Sequence, residues 1–373
     1  MPTAVIDLTR LKKLHCGLGQ FAMHLGRALQ STPPANWLTQ YVVPRPAHKR
    51  MAAEAPAAQI RTAEWWQREW PRRVLGNALR LDRGYPWGDV WHTIDHLSTY
   101  GPRDRQTPVI LTIHDLNFPT IRTAAQNRHS LDLLQRRIDR ATLLTTGSHF
   151  AAEQIRSHLD IGDKELRVIY HGLCVRADRD VPTPRFAPRK PYLFSIGEFR
   201  PDKNFHVLID FLRGLPPPLQ LVIAGNHATV YAAEVRSEIA RCGLADRVIL
   251  PGVVDDNERE WLYANCEAFV FPSLAEGFGL PAIEAMSFGK PVFLAEATSL
   301  PEVGGPLAFY WNDDSPDAMR DVFLRGQETF RSTPNYADQL RAHAGQFTWT
   351  EAAANYWRLY EEVALTATTR CAG

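Results

Sequence analysis

Residues 273–292, SLAEGFGLPAIEAMSFGKPV, place two carboxylates next to a glycine-containing turn. Glu276 comes directly before the turn, and Glu284 follows after seven intervening residues. The apolar run AFVFP that leads into this stretch predicts a strand, and Pro281 suits the first turn of a helix. The order of strand, glycine turn and helix predicts a ligand site with both carboxylates near the start of the helix.

The start of this predicted helix has its own binding capacity. The first N–H groups of a helix have no partner within it and carry partial positive charge. Here they belong to Phe278, Gly279 and Leu280. Such a helix end accommodates anionic or hydroxyl-rich ligands, and glycine lets a ligand approach the backbone closely. We therefore expect these three residues to bind a molecule that carries phosphate or hydroxyl groups.

The first half of the chain offers weaker candidates. Gly17 and Gly19 lie between the first predicted strand and a helix predicted over Gln20–Gln30, where backbone can approach a diphosphate. An ordinary tight turn explains them equally well. His114, in TIHD, ends another predicted strand. A single histidine is often structural, but its place at a strand end favours a functional role.

Short apolar runs alternate with amphipathic stretches along the chain, which predicts an α/β fold with parallel sheets. The proline-rich stretch 178–191 separates the two halves and predicts an interdomain linker. The expected architecture is two doubly wound, Rossmann-like domains facing a cleft, because open α/β sheets bind ligands at the carboxyl ends of their strands. Residues 44–88 carry the least information about structure.

Composition excludes several classes of protein. The chain has 373 residues, enough for about two domains. Its 42 basic and 41 acidic residues give a formal net charge of +1, so nucleic acid is not expected as a main partner. The five cysteines include no Cys-x-x-Cys pair, which argues against a zinc site. Capping of predicted turns explains the acidic pairs 255–256 and 313–314, so no metal site is predicted.

The pattern E-G-F-G-L-P-x-x-E-A-M-x-x-G-x-P-V resembles the signature of family 4 glycosyltransferases, which are retaining enzymes of the GT-B fold. Segments 192–212, 221–225, 247–258 and 299–310 also resemble the family in order and spacing, as do 16–29, 112–119 and 145–155 in the first half. The resemblance implies an acceptor-binding domain over 1–180 and a nucleotide-sugar-binding domain over 181–351. A C-terminal helix, 352–373, is expected to cross back to the first domain.

The resemblance also implies roles for individual residues. Glu284 corresponds to the glutamate that holds the ribose hydroxyls, and Glu276 to the one that contacts the donor sugar. Helix-capping acids are the alternative explanation for both. His114 resembles the histidine that points toward the donor sugar, which makes it, with Glu276, a candidate catalytic residue. Gly17 and Gly19 are expected to approach the donor diphosphate.

Lys203 stands at the phosphate-binding lysine of the family, and Arg200 on the same loop is a plausible second phosphate ligand. The chain departs from the family pattern here, because many members carry arginine where this chain has Glu198 and Asp202. A solvated pair between Arg200 and Asp202 is the alternative interpretation. The family generally uses basic side chains and helix ends without a metal, so no metal or cofactor is expected.

The implied function is transfer of a hexose, mannose or glucose, from a GDP- or UDP-sugar. The implied acceptor is a glycan or lipid-linked glycan in surface polysaccharide or lipopolysaccharide biosynthesis. Two alternatives stay open at this point. One is a sugar-nucleotide epimerase on the same fold, and the other is a catalytically silent GT-B scaffold, for which the altered loop at Glu198 and Asp202 is the support.

The chain begins without the charge order of a secretory signal and has no apolar stretch long enough to span a membrane, so a cytoplasmic protein is expected. Segment 63–83 combines tryptophans with arginines. This composition suits peripheral contact with an anionic membrane on the cytoplasmic face of the inner membrane. The alternative, which the helical spacing of its apolar residues favours, is a buried core with the arginines in solvent.

Overall fold

The computed structural model describes residues 1–12, 17–64, 68, 85–116, 124–173, 177 and 180–371, with backbone only for 124–127 and 367–371. Segment 63–83 falls, apart from residues 63, 64 and 68, outside the described residues, so both interpretations of it stay predictions. The described chain forms two compact units. The first unit contains the described residues of Met1–Leu116, Thr123–Gly172 and Thr348–Gly373. The second unit contains those of Leu173–Phe347. Sequence placed the boundaries after residues 180 and 351, and the units change over after residues 172 and 347.

The first unit is built on a parallel sheet with the strand order β3-β2-β1-β4-β5-β6-β7. These strands are β1 (Thr3–Asp7), β2 (Leu38–Val43), β3 (Gln59–Thr62), β4 (Val90–Thr93), β5 (Val109–Thr112), β6 (Leu143–Thr146) and β7 (Leu166–Val168). Its helices are α1 (Gly17–Ser31), α2 (His48–Glu54), α3 (Ala124–Arg140), α4 (His149–His158) and, at the end of the chain, α12 (Trp349–Cys371). The strand order changes direction between β1 and β4, which is where open α/β sheets bind ligands.

The second unit repeats this plan with a parallel sheet in the order β10-β9-β8-β11-β12-β13. Its strands are β8 (Tyr192–Ile196), β9 (Gln220–Ala224), β10 (Val248–Gly252), β11 (Ala268–Phe271), β12 (Val292–Ala295) and β13 (Phe309–Trp311). Its helices are α5 (Val207–Arg213), α6 (Val230–Arg241), α7 (Asp256–Asn265), α8 (Leu280–Ser287), α9 (Leu300–Gly304), α10 (Pro316–Ser332) and α11 (Tyr336–Ala344). Here the order changes direction between β8 and β11.

Strand β9 shows why these apolar runs form buried parallel strands. Leu221 and Ile223 pack in a core cluster with α5, α6 and α10, while Val222 and Ala224 pack in a second cluster with α7, α8 and α11. Successive side chains of a strand point to opposite faces, so a continuous apolar run fills a core on each side of the sheet. The predicted α/β architecture is confirmed.

Sequence patterns missed several short elements. Strand β3 lies at the edge of its sheet with alternating exposed and half-buried residues, and α2 falls in the same uninformative region. Helices α9 and α11 were not predicted either. The described residues of the predicted linker 178–191 contain neither helix nor strand and lie within the second unit, so a linker role stays a prediction. Among the described residues, no helix is long and apolar enough to cross a membrane.

Helix α12 packs into the core of the first unit, as predicted for the crossing-back helix. The indole of Trp357 donates to the Leu29 carbonyl of α1. The hydroxyl of Tyr360 lies 2.7 Å from His92 Nδ1, and His92 Nε2 lies 2.8 Å from the Thr112 hydroxyl. A fully buried polar network therefore joins α12 to strands β4 and β5.

Burial, with a smaller contribution from His114, lowers the pKa of His92 from 6.5 to about 3. The folded chain therefore keeps His92 neutral at a pH where the unfolded chain binds a proton. As the pH falls from about 6.5 toward 3, this histidine makes folding progressively less favourable.

We predict that Tyr360→Phe destabilises the first unit by about 1–3 kcal/mol, because the substitution leaves a buried histidine nitrogen without its partner. Urea unfolding at neutral pH measures the loss, with Tyr170→Phe, at a position 39% exposed, as the matched control. Equal stability of the two variants would contradict a structural role for the network.

Candidate functional site

Two predicted donor-site residues form an ion pair at the carboxyl edge of the second sheet. Lys203 Nζ lies 2.5 Å from Glu276 Oε1, and each side chain is only 13% exposed. Lys203 ends the turn Pro201–Lys203 that follows β8, and Glu276 lies in the loop that follows β11. Because β8 and β11 are neighbouring parallel strands, their following loops meet at one edge.

The loop after β8 is fixed by a close backbone approach. Gly197 N–H donates to the Ala224 carbonyl at 3.0 Å, and Gly225 follows with φ of +141°. A Cβ on Gly225 would collide with the Gly197 carbonyl oxygen, so only glycine fits. Leu274 N–H donates to the Asp202 carbonyl at 2.8 Å, which joins this loop to the one that carries Glu276.

Arg200 forms a bidentate pair with Asp202. Its Nε and Nη2 lie 2.9 and 2.5 Å from the two carboxylate oxygens. Hydrogen bonding to the Asp202 side chain is the main cause of the raised pKa of Arg200. The Asp202 side chain is 1% exposed and that of Arg200 is 34% exposed, so the pair has a buried carboxylate and a guanidinium partly open to solvent. A phosphate role for Arg200 stays a prediction, and it requires the guanidinium to bind phosphate from within this pair.

The predicted strand–turn–helix is present. Helix α8 begins at Leu280, and Gly279 is its N-cap residue in a left-handed conformation, with φ of +101°. Pro281 occupies the first turn, and Phe278 is buried in a small apolar cluster with Ile283. The backbone at 278–280 therefore lies at the amino end of a helix, where the sequence placed it.

Glu284 lies inside α8 and is 5% exposed. Its Oε2 accepts a hydrogen bond of 2.9 Å from the hydroxyl of Tyr263, on α7. Burial raises the pKa of Glu284, and the positive charge of Arg259 and the Tyr263 hydroxyl partly oppose this. Burial is also the main cause of a pKa of Tyr263 well above its usual value. Sequence reasoning found Glu284 but not Tyr263, which lies on another helix.

His114 lies in the first unit, just after β5, and is 6% exposed. Its Nε2 lies 2.8 Å from the Ile94 carbonyl, which accepts a hydrogen bond, so Nε2 carries the proton and Nδ1 is an acceptor. Burial lowers its pKa, although the charge of Asp95 acts in the opposite direction. Phe21 packs edge-on against the ring, with centroids 4.6 Å apart.

The turn after β4 holds buried charged groups that the sequence analysis did not single out. Arg10 binds the Asp95 carboxylate, whose pKa is lowered by His96 and Arg10 although burial acts to raise it. Asp95 directly follows Ile94, the residue whose carbonyl holds His114. The signal in the sequence was an acid next to a histidine directly after an apolar strand, in DVWHTIDH.

Gly17 and Gly19 do not lie in a loop before the helix, which corrects the sequence interpretation. Helix α1 begins at Gly17, so both glycines belong to its first turn. The helix starts earlier than the sequence analysis predicted, because two of the four residues in its first turn are glycines, which carry no side chain to mark the periodicity. A role in approaching a diphosphate stays a prediction for both.

One group of three side chains among the described residues has metal-ligand spacing: Asp210, Glu238 and Cys242. Arg241 binds both carboxylates of this group, at 2.7 and 2.6 Å. One acid of each pair that sequence analysis assigned to turns does cap backbone. The carboxylate of Asp255 accepts from Glu258 N–H in a capping box, and that of Asp313 accepts from Ser315 N–H.

Comparison with known proteins shows which class of enzyme this chain resembles. Residues 178–316 match the family model for glycosyl transferases group 1. The chain is 26% identical over 276 residues to the O-antigen chain mannosyltransferase B of Escherichia coli, covering 68% of this chain and 70% of the relative. It is 26% identical over 211 residues to the GDP-mannose:cellobiosyl-diphosphopolyprenol alpha-mannosyltransferase of Komagataeibacter xylinus, covering 53% of each.

A solved structure of Anabaena Alr3699/HepE in complex with UDP and glucose has the same fold, with a TM-score of 0.71 and 18% identity, covering 97% of this chain and 100% of that one. Fold, motifs and relatives define a glycosyltransferase of the GT-B fold. The family match over residues 178–316 and these relatives confirm the resemblance to family 4 glycosyltransferases that the sequence motifs indicated.

We predict that Glu284→Gln leaves the ligand-free protein at least as stable as the wild type at pH 8. The raised pKa means that the folded chain holds a proton that the unfolded chain releases, so this group disfavours folding as the pH rises above about 4.5. The same change should weaken nucleotide binding at least tenfold, because a hydrogen bond to a charged group is worth about 1.5–3 kcal/mol.

Calorimetric melting at pH 5.5 and 8, together with nucleotide titration, separates the two effects. Glu328→Gln, an exposed change on α10, is the matched control. A Glu284→Gln protein that melts earlier at pH 8 and binds nucleotide normally would contradict both statements.

Proposed function

We propose that this glycosyltransferase transfers mannose from GDP-mannose to a glycan or lipid-linked glycan in surface polysaccharide biosynthesis. The names of the two relatives support mannose, and one of them names GDP-mannose. The structural neighbour was solved with UDP and glucose, so a UDP-sugar is the alternative donor that experiments must separate. We further propose that the protein works at the cytoplasmic face of a membrane, where a lipid-linked acceptor is accessible, with segment 63–83 as the contact.

The observation that carries the proposal is the convergence of Lys203, Glu276 and the amino end of α8 in one unit. Glycosyl transfer breaks the bond between the anomeric carbon and a diphosphate oxygen, and the departing diphosphate gains negative charge. A lysine and a helix amino end both stabilise such charge. The adjacent Glu276 carboxylate suits hydroxyl groups of the sugar that the diphosphate carries.

In this proposal Lys203 exchanges partners during the reaction cycle. Without donor it pairs with Glu276, and with donor its ammonium binds the diphosphate while the carboxylate binds sugar hydroxyls. Glu284 accepts from the ribose hydroxyls, held in place by Tyr263. Arg200 and the backbone at 278–280 add positive potential, so the departing charge is balanced without a metal.

The proposed chemical step retains the configuration of the anomeric carbon. The acceptor hydroxyl oxygen forms the new bond to that carbon, the diphosphate oxygen leaves with the electron pair, and the acceptor proton passes to the leaving phosphate. No protein nucleophile is required. His114 is the predicted catalytic residue of the first unit. Because its Nε2 is bound to the Ile94 carbonyl, Nδ1 is the ring atom proposed to accept a hydrogen bond from a substrate hydroxyl.

We predict that GDP, in the presence of EDTA, raises the unfolding temperature of the full chain more than UDP, ADP or dTDP. A ligand at about 100 times its dissociation constant adds about 2.7 kcal/mol to the stability of the folded state. Selective stabilisation by UDP would replace the proposed donor with a UDP-sugar. Stabilisation by no nucleotide, or only after magnesium is added, would contradict the metal-free donor site.

We also predict that Glu276→Ala lowers GDP release from GDP-mannose, in the presence of a polyprenyl-diphosphate-linked glycan, at least about 100-fold. Its affinity for GDP should stay within a factor of three, because Glu276 is assigned to the sugar. The exposed change Lys190→Ala is the control. Loss of GDP affinity with normal turnover would reverse the assigned role. Product formed without any acceptor would favour an epimerase.

A further inference from the structure

Thr298 has an unusual backbone. Its φ is +52°, and the other residues with positive φ among the described non-glycine positions are Asn204 and Asn335. Asparagine tolerates the left-handed region, whereas a β-branched residue there is an outlier. Such a conformation is energetically unfavourable and persists only where surrounding contacts fix it.

Two hydrogen bonds show what Thr298 does in that conformation. The N–H of Glu276 donates to the Thr298 hydroxyl at 3.1 Å, and the next residue, Ser299, donates from its hydroxyl to the Glu276 carbonyl at 3.0 Å. Ser299 is fully buried. Consecutive side chains of the loop between β12 and α9 therefore hold the backbone of Glu276 on both sides.

The residues that follow continue this support. Leu300 packs closely against Gly279. A Cβ atom added to Gly279 would lie only 2.8 Å from Leu300 Cδ2. Val303 packs in the apolar cluster with Phe278, and its carbonyl accepts a hydrogen bond of 2.8 Å from His343 Nε2. The segment 298–303 therefore supports the whole turn before α8, and α11 in turn supports that segment.

The backbone of Glu276 is thus fixed independently of its side chain. The Glu276 carboxylate has Lys203 as its partner in the structure, and the proposed cycle removes that partner when the donor diphosphate arrives. A carboxylate on a flexible loop would then lose its orientation. The hydrogen bonds from residues 298 and 299 do not involve Lys203 and remain.

We propose that Thr298 and Ser299 are positioning residues that keep Glu276 oriented toward the donor sugar after Lys203 has moved to the diphosphate. The inference rests on the proposed function, because it assumes that Glu276 binds the sugar. It explains why a threonine occupies a left-handed position that glycine or asparagine would adopt more easily. The hydroxyl is required there, together with that backbone conformation.

The test compares affinities for GDP and GDP-mannose, since their ratio isolates the contribution of the sugar. Thr298→Gly and Thr298→Val both remove the hydroxyl, but glycine relieves the backbone strain and valine keeps it. We expect both to lower the GDP-mannose advantage about five- to tenfold, with GDP affinity within twofold of wild type. Thr298→Ser should restore the wild-type ratio, and Thr298→Gly should melt no earlier than wild type.

A double variant distinguishes positioning from a general structural role. If Thr298 acts through Glu276, adding Thr298→Val to Glu276→Ala should lower the ratio no further. Thr329→Val on α10 is the control, because the Thr329 hydroxyl bonds only within its own helix in the described contacts. An unchanged ratio in both hydroxyl-free variants, or a full additional loss in the double variant, would overturn the inference. An unchanged ratio in Glu276→Ala alone would instead refute the proposed sugar role of Glu276.

Discussion

The parallel pairing of β8 with β11 is the constraint on which the donor-side site depends. It brings the loops after these strands to one edge of the sheet, where Lys203 and Glu276 pair at 2.5 Å. The loops are far apart in sequence, and a backbone hydrogen bond from Leu274 to Asp202 joins them. The close approach of Gly225 to the Gly197 carbonyl sets the path of the first loop. The side-chain pair is therefore a consequence of strand order and of backbone contacts.

Two residues of the donor-side site have environments or backbone conformations that reduce the stability of the folded chain. Glu284 is buried with a raised pKa, and Thr298 keeps a left-handed backbone that other residues would adopt more easily. Each is held by neighbouring groups: Tyr263 for Glu284, and the backbone of Glu276 for Thr298. Proteins commonly accept such local losses of stability where function requires fixed polar groups. Their concentration around α8 is independent support for a ligand site there.

Sequence predicted the second unit well, because its strands are continuous apolar runs and its motif combines glycine, proline and acid in one short stretch. It did not predict β3, an edge strand with alternating burial, or Tyr263 and Thr298, which act on residues 21 and 22 positions away. No local pattern marks such contacts, because they arise only when separate helices and loops pack together. Gly17 and Gly19 were misplaced because helical periodicity is read from apolar side chains, which glycine lacks.

The most direct measurement of the central claim is a crystal structure of the full chain with GDP-mannose in EDTA. The account predicts diphosphate oxygens at about 3 Å from Lys203 Nζ, ribose hydroxyls on Glu284, and sugar hydroxyls on a Glu276 carboxylate that has released the lysine. The hydrogen bonds that join the Glu276 backbone to the Thr298 and Ser299 side chains should be the same with and without donor. Donor bound with the Lys203–Glu276 pair intact and the diphosphate held elsewhere would contradict the account.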